Sequence, residues 1–191
     1  MKPFSRSKLF LSGLSILVLG MIPLIAGSDS NYYYVTTSHI RFRSEAALEI
    51  ITAESQKMQG VVDIARKTFA FSVLSSSFTG FNSALQREHF NENYLESDKF
   101  PMTIFKGKII EDVDFTKPGT YEVRSKGTLI LHGISRERII RGKIKVKEGG
   151  LEIESSFMVL LNDHNIKVPK VVHEKIADAV LVEIKMRLER K

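Results

Sequence analysis

The chain of 191 residues contains no cysteine and no tryptophan. The missing thiols exclude disulfides, thiolate zinc sites, iron–sulfur clusters, a cysteine nucleophile and a lipidated N-terminal cysteine. They leave the redox compartment open, because a cysteine-free protein folds equally well in oxidising or reducing surroundings. No Walker-type phosphate loop, Rossmann glycine pattern or HExxH is present. Ser75-Ser76-Ser77 lacks the G-x-S-x-G spacing of a nucleophile elbow. The histidines His39, His89, His132, His164 and His173 stand 50, 43, 32 and 9 residues apart, which fits no local metal motif. No metal, no cofactor and no catalytic residue are therefore expected.

The formal charge of +6 is unevenly placed. Lys2, Arg6 and Lys8 open the chain, and Leu9 to Ala26 follows without a charge. Small residues and the turn-forming Ser28-Asp29-Ser30-Asn31 come next. This is the pattern of a secretory signal peptide over 1–27, with Pro23 ending its apolar helix. A retained membrane anchor is the alternative, since the run lies at the short end of the ~17–25 residues that span a bilayer. The small residues favour cleavage, with Ala26 and Ser28 at the −3 and −1 positions and Gly27 as a competing −1 choice. The remaining 28–191 forms one expected domain carrying only +3, too little for a nucleic-acid footprint. A periplasmic or secreted location follows.

Beyond residue 31 the dominant period is two. Ile40, Phe42 and Ser44 alternate with Arg41 and Arg43. Phe69, Phe71 and Val73 share a face, as do Leu151, Ile153, Phe157, Val159 and Leu161. Val180, Val182, Ile184, Met186 and Leu188 alternate with charged residues. Antiparallel strands with one wet and one dry face read this way. Lys117-Pro118-Gly119, Lys126-Gly127, His132-Gly133 and Glu148-Gly149-Gly150 mark turns, the last a tight hairpin. About eight strands are expected: 33–44, 47–54, 58–66, 68–76, 102–112, 120–132, 136–148 with 151–162, and 178–189.

Two stretches break the alternation. Phe81–Glu96 reads as a short helix followed by an irregular, lid-like segment. Pro169–Ala177 reads as a helical turn opened by Pro169, with Val172 and Ile176 on one face. Long antiparallel strands expose edges, and closure into a barrel removes them. Such a barrel either fills with side chains or holds one small ligand. Periodicity leaves both open.

Two blocks carry a family likeness. Gln86-Arg87-Glu88-His89 through Tyr94-Leu95-Glu96-Ser97-Asp98-Lys99-Phe100-Pro101 and the strand Met102–Gly107 resemble the YceI family, which typically shows R/Q-x-x-H in a helix and then K-Y/F-P. Gly127-Thr128-Leu129-Ile130-Leu131-His132-Gly133-Ile134-Ser135 is similar to its G-x-L-T-L-H-G-V-T/S strand and turn. Leu160, Asp163 and Ile166 add a weaker third match. The blocks run in family order over most of 33–189, and the wording resembles members from Bacteroidetes-type bacteria. Ile130 departs from a common Thr, and Phe100 replaces a common Tyr. The resemblance implies an all-β, eight-stranded antiparallel, lipocalin-like barrel with one or two short helices. It also implies a long apolar tunnel for a polyisoprenoid or other long-chain amphiphile, without fixing which one.

The candidate ligand-binding residues are Phe69, Phe71, Val73, Phe105, Leu129, Leu131, Phe157 and Val159, with His89 near a polar head group at the mouth. The same apolar residues serve equally as plain core. Glu88, Glu92, Glu96 and Asp98 read as a solvated lid surface. Arg136, Arg138, Arg141, Lys143, Lys145 and Lys147 read as the outer face of a hairpin, or as attraction to an anionic membrane surface. The expected activity is sequestration of a long-chain isoprenoid or similar amphiphilic lipid, with transient membrane-surface contact and a homodimer as further partners. Two other classes stay open: a packed-barrel envelope scaffold or protein-interaction module, and an enzyme acting on a lipid through His89 and nearby carboxylates.

Overall fold

The alternating segments pair into one antiparallel sheet that closes on itself. This computed structural model describes residues 31–190. The leader assigned to 1–27 lies outside the described residues. Nine strands follow in order: β1 (Tyr32–Glu45), β2 (Ile50–Ser55), β3 (Gln59–Asp63), β4 (Thr68–Leu74), β5 (Met102–Ile109), β6 (Gly119–Leu131), β7 (Ile134–Lys147), β8 (Gly150–Leu160) and β9 (Ala179–Arg190). Consecutive strands pair from β3 to β9, and β9 returns to β1 over Tyr33↔Arg190 to Ser44↔Val180. A bulge between Val35 and Thr37 bends β1 along the way.

The barrel has eight staves, because β2 and β3 share one. Both run antiparallel to β1, β2 against Ile40–Glu45 and β3 against Tyr32–Tyr34. The two separate strands expected over 47–54 and 58–66 are thus one broken stave. The run 136–148 with 151–162 is instead two full staves. Their hairpin turns on Glu148-Gly149, with Gly149 at φ +79°. His132-Gly133 makes the β6–β7 turn with both residues at positive φ, the combination of a type I′ turn.

Between β4 and β5 the chain forms α1 (Ala84–His89) and a π-helical turn, Phe90–Tyr94. Ser83 caps α1, its Oγ accepting from the Gln86 amide at 3.1 Å. Lys170–Val172 is a single 3₁₀ turn behind Pro169, as its proline predicts. Among the described residues no helix is long and apolar enough to cross a membrane.

The cationic stripe needs a correction. Arg136 pairs with Leu129 and Arg138 with Gly127, so both leave β7 on the interior face, opposite to Arg141, Lys143, Lys145 and Lys147. They are used at a seam. β7 and β8 pair only over Gly142–Lys147 and Gly150–Ser155, and above that their backbones part. Arg138 Nη2 donates to the Met158 carbonyl at 2.6 Å, Arg136 Nε to the Asp163 carbonyl at 2.7 Å, and Ser155 Oγ to the Arg141 carbonyl at 2.7 Å. Side chains thus satisfy backbone carbonyls along a stretch where no ladder forms. On the outer face, Lys143 pairs with Glu122 and Lys147 with Glu152.

Candidate functional site

The dry faces of the strands do two different things along the barrel. At one end they interlock. Tyr33, Val62, Phe69, Ile109, Phe115, Val123, Ile144, Leu151 and Leu188 are buried there, and Leu151 and Leu188, register partners, are 0% exposed. At the other end the same faces leave space. Phe71, Phe105, Phe157, Val182 and Ile184 point inward yet remain only half-buried. They surround an apolar cavity of about 530 Å³, within the range of ligand pockets, roughly 300–1,000 Å³. Both alternatives that periodicity left open occur in one barrel.

The lid is held by aromatic packing. Phe90 stacks on Phe42 with ring centroids 5.3 Å apart, and lies 5.0 Å from Phe81 and 5.8 Å from Phe78. Polar contacts join the rim. Gln86 Nε2 donates to Glu49 Oε1 at 2.7 Å, and Asn82 Nδ2 donates to the same oxygen and to the Ile50 carbonyl. The Leu48 amide donates to the Glu174 carbonyl, which ties the β1–β2 turn to the 170–177 segment. Ser83, Leu85, His89 and Lys175 line the cavity and are exposed, so the mouth opens between α1 and that segment.

Eight of the nine sequence candidates face this cavity: Phe71, Val73, His89, Phe105, Leu129, Leu131, Phe157 and Val159. Phe69 does not. It lies in the packed half, its ring centroid 5.0 Å from that of Phe105 and 5.5 Å from that of Phe71. Sequence reasoning missed the lid phenylalanines and the upper β9 residues Val180, Val182 and Ile184, which also line the space. The alternation of the β9 residues was visible, but alternation does not say which dry residues face a hollow.

The carboxylates of the lid do not converge on the cavity. Glu88, Glu92 and Asp98 are exposed, and none of the three lines the barrel cavity. Glu96 is engaged structurally. His132 donates from Nε2 to Glu96 Oε2 at 2.6 Å and from Nδ1 to the His164 carbonyl at 2.9 Å. That contact, with Lys99, holds the Glu96 carboxyl below its usual value. The remaining histidines are dispersed: His39 bonds Glu54 on the surface, and His173 bonds the Val168 carbonyl. Among the described residues no cluster of three metal-ligating side chains occurs.

His164 is expected to make the fold acid-sensitive. It is 0% exposed, its Nδ1 donates to the Ile134 carbonyl at 3.2 Å, and its Nε2 is buried without a partner. Burial pushes the imidazole below its ordinary value, against the opposing backbone bonds. The unfolded chain therefore takes up a proton near its ordinary value of ~6.5, before the folded chain does, and acid favours unfolding. The stability is complete above that value and is lost as pH falls below it. The melting temperature should drop between pH of about 7.5 and 5, and drop less in His164→Gln; calorimetry across that window checks this, and parallel profiles would refute it.

Comparisons with known proteins agree with this architecture. No curated protein sequence matches the chain. A polyisoprenoid binding domain from Saccharophagus degradans implicated in plant cell wall breakdown superposes with a TM-score of 0.71 at 12% identity, covering 84% of this chain and 99% of that one. BcnA of Burkholderia cenocepacia gives 0.65 at 12% identity, covering 78% and 95%. The YCEI protein of Campylobacter jejuni gives 0.54 at 15% identity, covering 100% and 99%. At such identities the likeness speaks to the fold. The sequence model of the YceI-like domain matches residues 33–188, nearly the whole barrel, and by that match the chain belongs to the YceI-like family.

Proposed function

We propose that the protein is exported and there sequesters or carries a long-chain isoprenoid or similar amphiphile, without breaking any bond. The observation that carries this reading is the half-hollow barrel: a cavity of about 530 Å³ with inward-facing Phe, Leu, Ile and Val and a polar mouth. A packed scaffold has no use for such a space. Apolar contact supplies the affinity, at roughly 0.8 kcal/mol per buried methylene. The head group stays at the mouth, within reach of Gln86, His89 and Lys175. The polyisoprenoid-binding relative from Saccharophagus degradans supports the ligand class. The charged start and uncharged run of 9–26 support export. Mass spectrometry of organic extracts from the purified protein should recover a lipid in repeated preparations. Repeated recovery of none, with no uptake of added isoprenoids, would overturn the reading.

A further inference from the structure

The interior lining stops at one level on every strand that contributes to it. On β9 Val180, Val182 and Ile184 face the cavity, whereas Met186 and Leu188 are buried beneath it. On β8 Phe157 and Val159 face it, whereas Leu151 is buried. On β4 the boundary falls between Phe71 and Phe69, and on β5 between Phe105 and Ile109. The hollow therefore has a floor and does not run through the barrel.

Three rings make that floor. Phe69 packs under Phe71 and Phe105, with the centroid distances given above. Phe105 reaches across because its diagonal neighbour on β6 is Gly127: a Cβ there would come within 3.0 Å of Phe105 Cε2. A close-packed interior has a density of ~0.74, so a methylene of about 17 Å³ occupies about 23 Å³. By that measure the cavity of about 530 Å³ takes a chain of about twenty carbons.

We propose that the Phe69–Phe71–Phe105 floor makes the barrel a ruler that selects single-chain amphiphiles of three to four isoprene units, or straight chains of equal length, over long polyprenyl chains. The proposal rests on the lipid-binding reading and narrows its ligand class. Chains that fit are covered along their whole length. Longer ones leave a tail in water at the mouth, or must displace rings that are already packed. Each added methylene increases affinity about fourfold only while it still finds cavity to enter.

The test uses the lipid-stripped protein and phosphatidylcholine vesicles carrying an equimolar mixture of geraniol, farnesol, geranylgeraniol and solanesol. These alcohols have two, three, four and nine isoprene units. Native mass spectrometry reads which of them the protein takes up. Farnesol and geranylgeraniol should dominate, each more than tenfold over solanesol. Phe105→Ala should remove the floor and raise the solanesol share. Val182→Phe should fill the space above it and shift the maximum to shorter chains. The second variant keeps the test decisive if the first fails to fold. Solanesol uptake equal to that of geranylgeraniol, or an unchanged preference in Val182→Phe, would overturn the ruler while leaving lipid binding intact. Uptake of none of the four would overturn isoprenoid binding, and the isoprenoid ruler with it.

Discussion

Leu188→Ala is expected to lower the unfolding free energy by about 3–5 kcal/mol, near the top of the range for core truncations. Leu188 is 0% exposed, and its register partners are Leu151 on β8, also 0% exposed, and Val35 on β1. The neighbours belong to a closed sheet, so they cannot collapse into the space without breaking the ladder. The cavity cost therefore adds in full to the lost transfer energy. Val182→Ala, three side chains further up the same face of β9, is expected to cost about 1 kcal/mol or less. Val182 already borders empty space, and its methyl groups have few partners to lose. Denaturant titration of the two variants measures the contrast. Equal costs would mean that the upper half is as tightly packed as the lower.

Phe90→Ala is expected to release the lid while the barrel stays folded. Its ring lies within 6 Å of Phe42, Phe78 and Phe81, and joins the helical segment to β1 and to the loop after β4. Truncating a phenylalanine in such a cluster costs about 3–5 kcal/mol. The loss falls on the lid, because the β-ladders of the eight staves do not pass through Phe90. The polar ties Gln86–Glu49 and Glu96–His132 remain, but part-buried hydrogen bonds of this kind contribute about 0.5–3 kcal/mol each, less than the ring cluster. Amide exchange over residues 84–95 should accelerate by at least tenfold, and a bound chain should leave at least tenfold faster, while exchange in β6 to β9 stays unchanged. Acceleration throughout the barrel would show instead that the cluster is part of the global core.

Fold class was legible because strand alternation is local. Each run of dry residues spans one strand, and Glu148-Gly149 and His132-Gly133 mark two of the hairpins that join them. Pairing was legible only in part. Residues 50–55 and 59–63 have the same appearance as any two consecutive strands, yet both pair with β1 and form one stave. Arg136 and Arg138 look like surface cations, and only the register with Leu129 and Gly127 puts them on the interior face, at the β7–β8 seam. Phe69 shows the same limit at the site. Its period-two partners Phe71 and Val73 line the cavity, and Phe69 itself lies in the packed half.

By itself, then, the sequence determined the all-β class, the positions of most strands along the chain, the lid helix and the apolar residues that share a dry face. Each follows from side-chain direction along a short stretch of backbone, where the period of two or of 3.6 acts. Whether those residues meet or face a void was decided by the tertiary structure alone. That outcome depends on the volumes that opposite staves bring to one level: Leu151 against Leu188 in the packed half, and the three-ring floor, with Phe105 close over Gly127, where the hollow begins. No residue carries that information alone, since filling is a property of the closed cross-section.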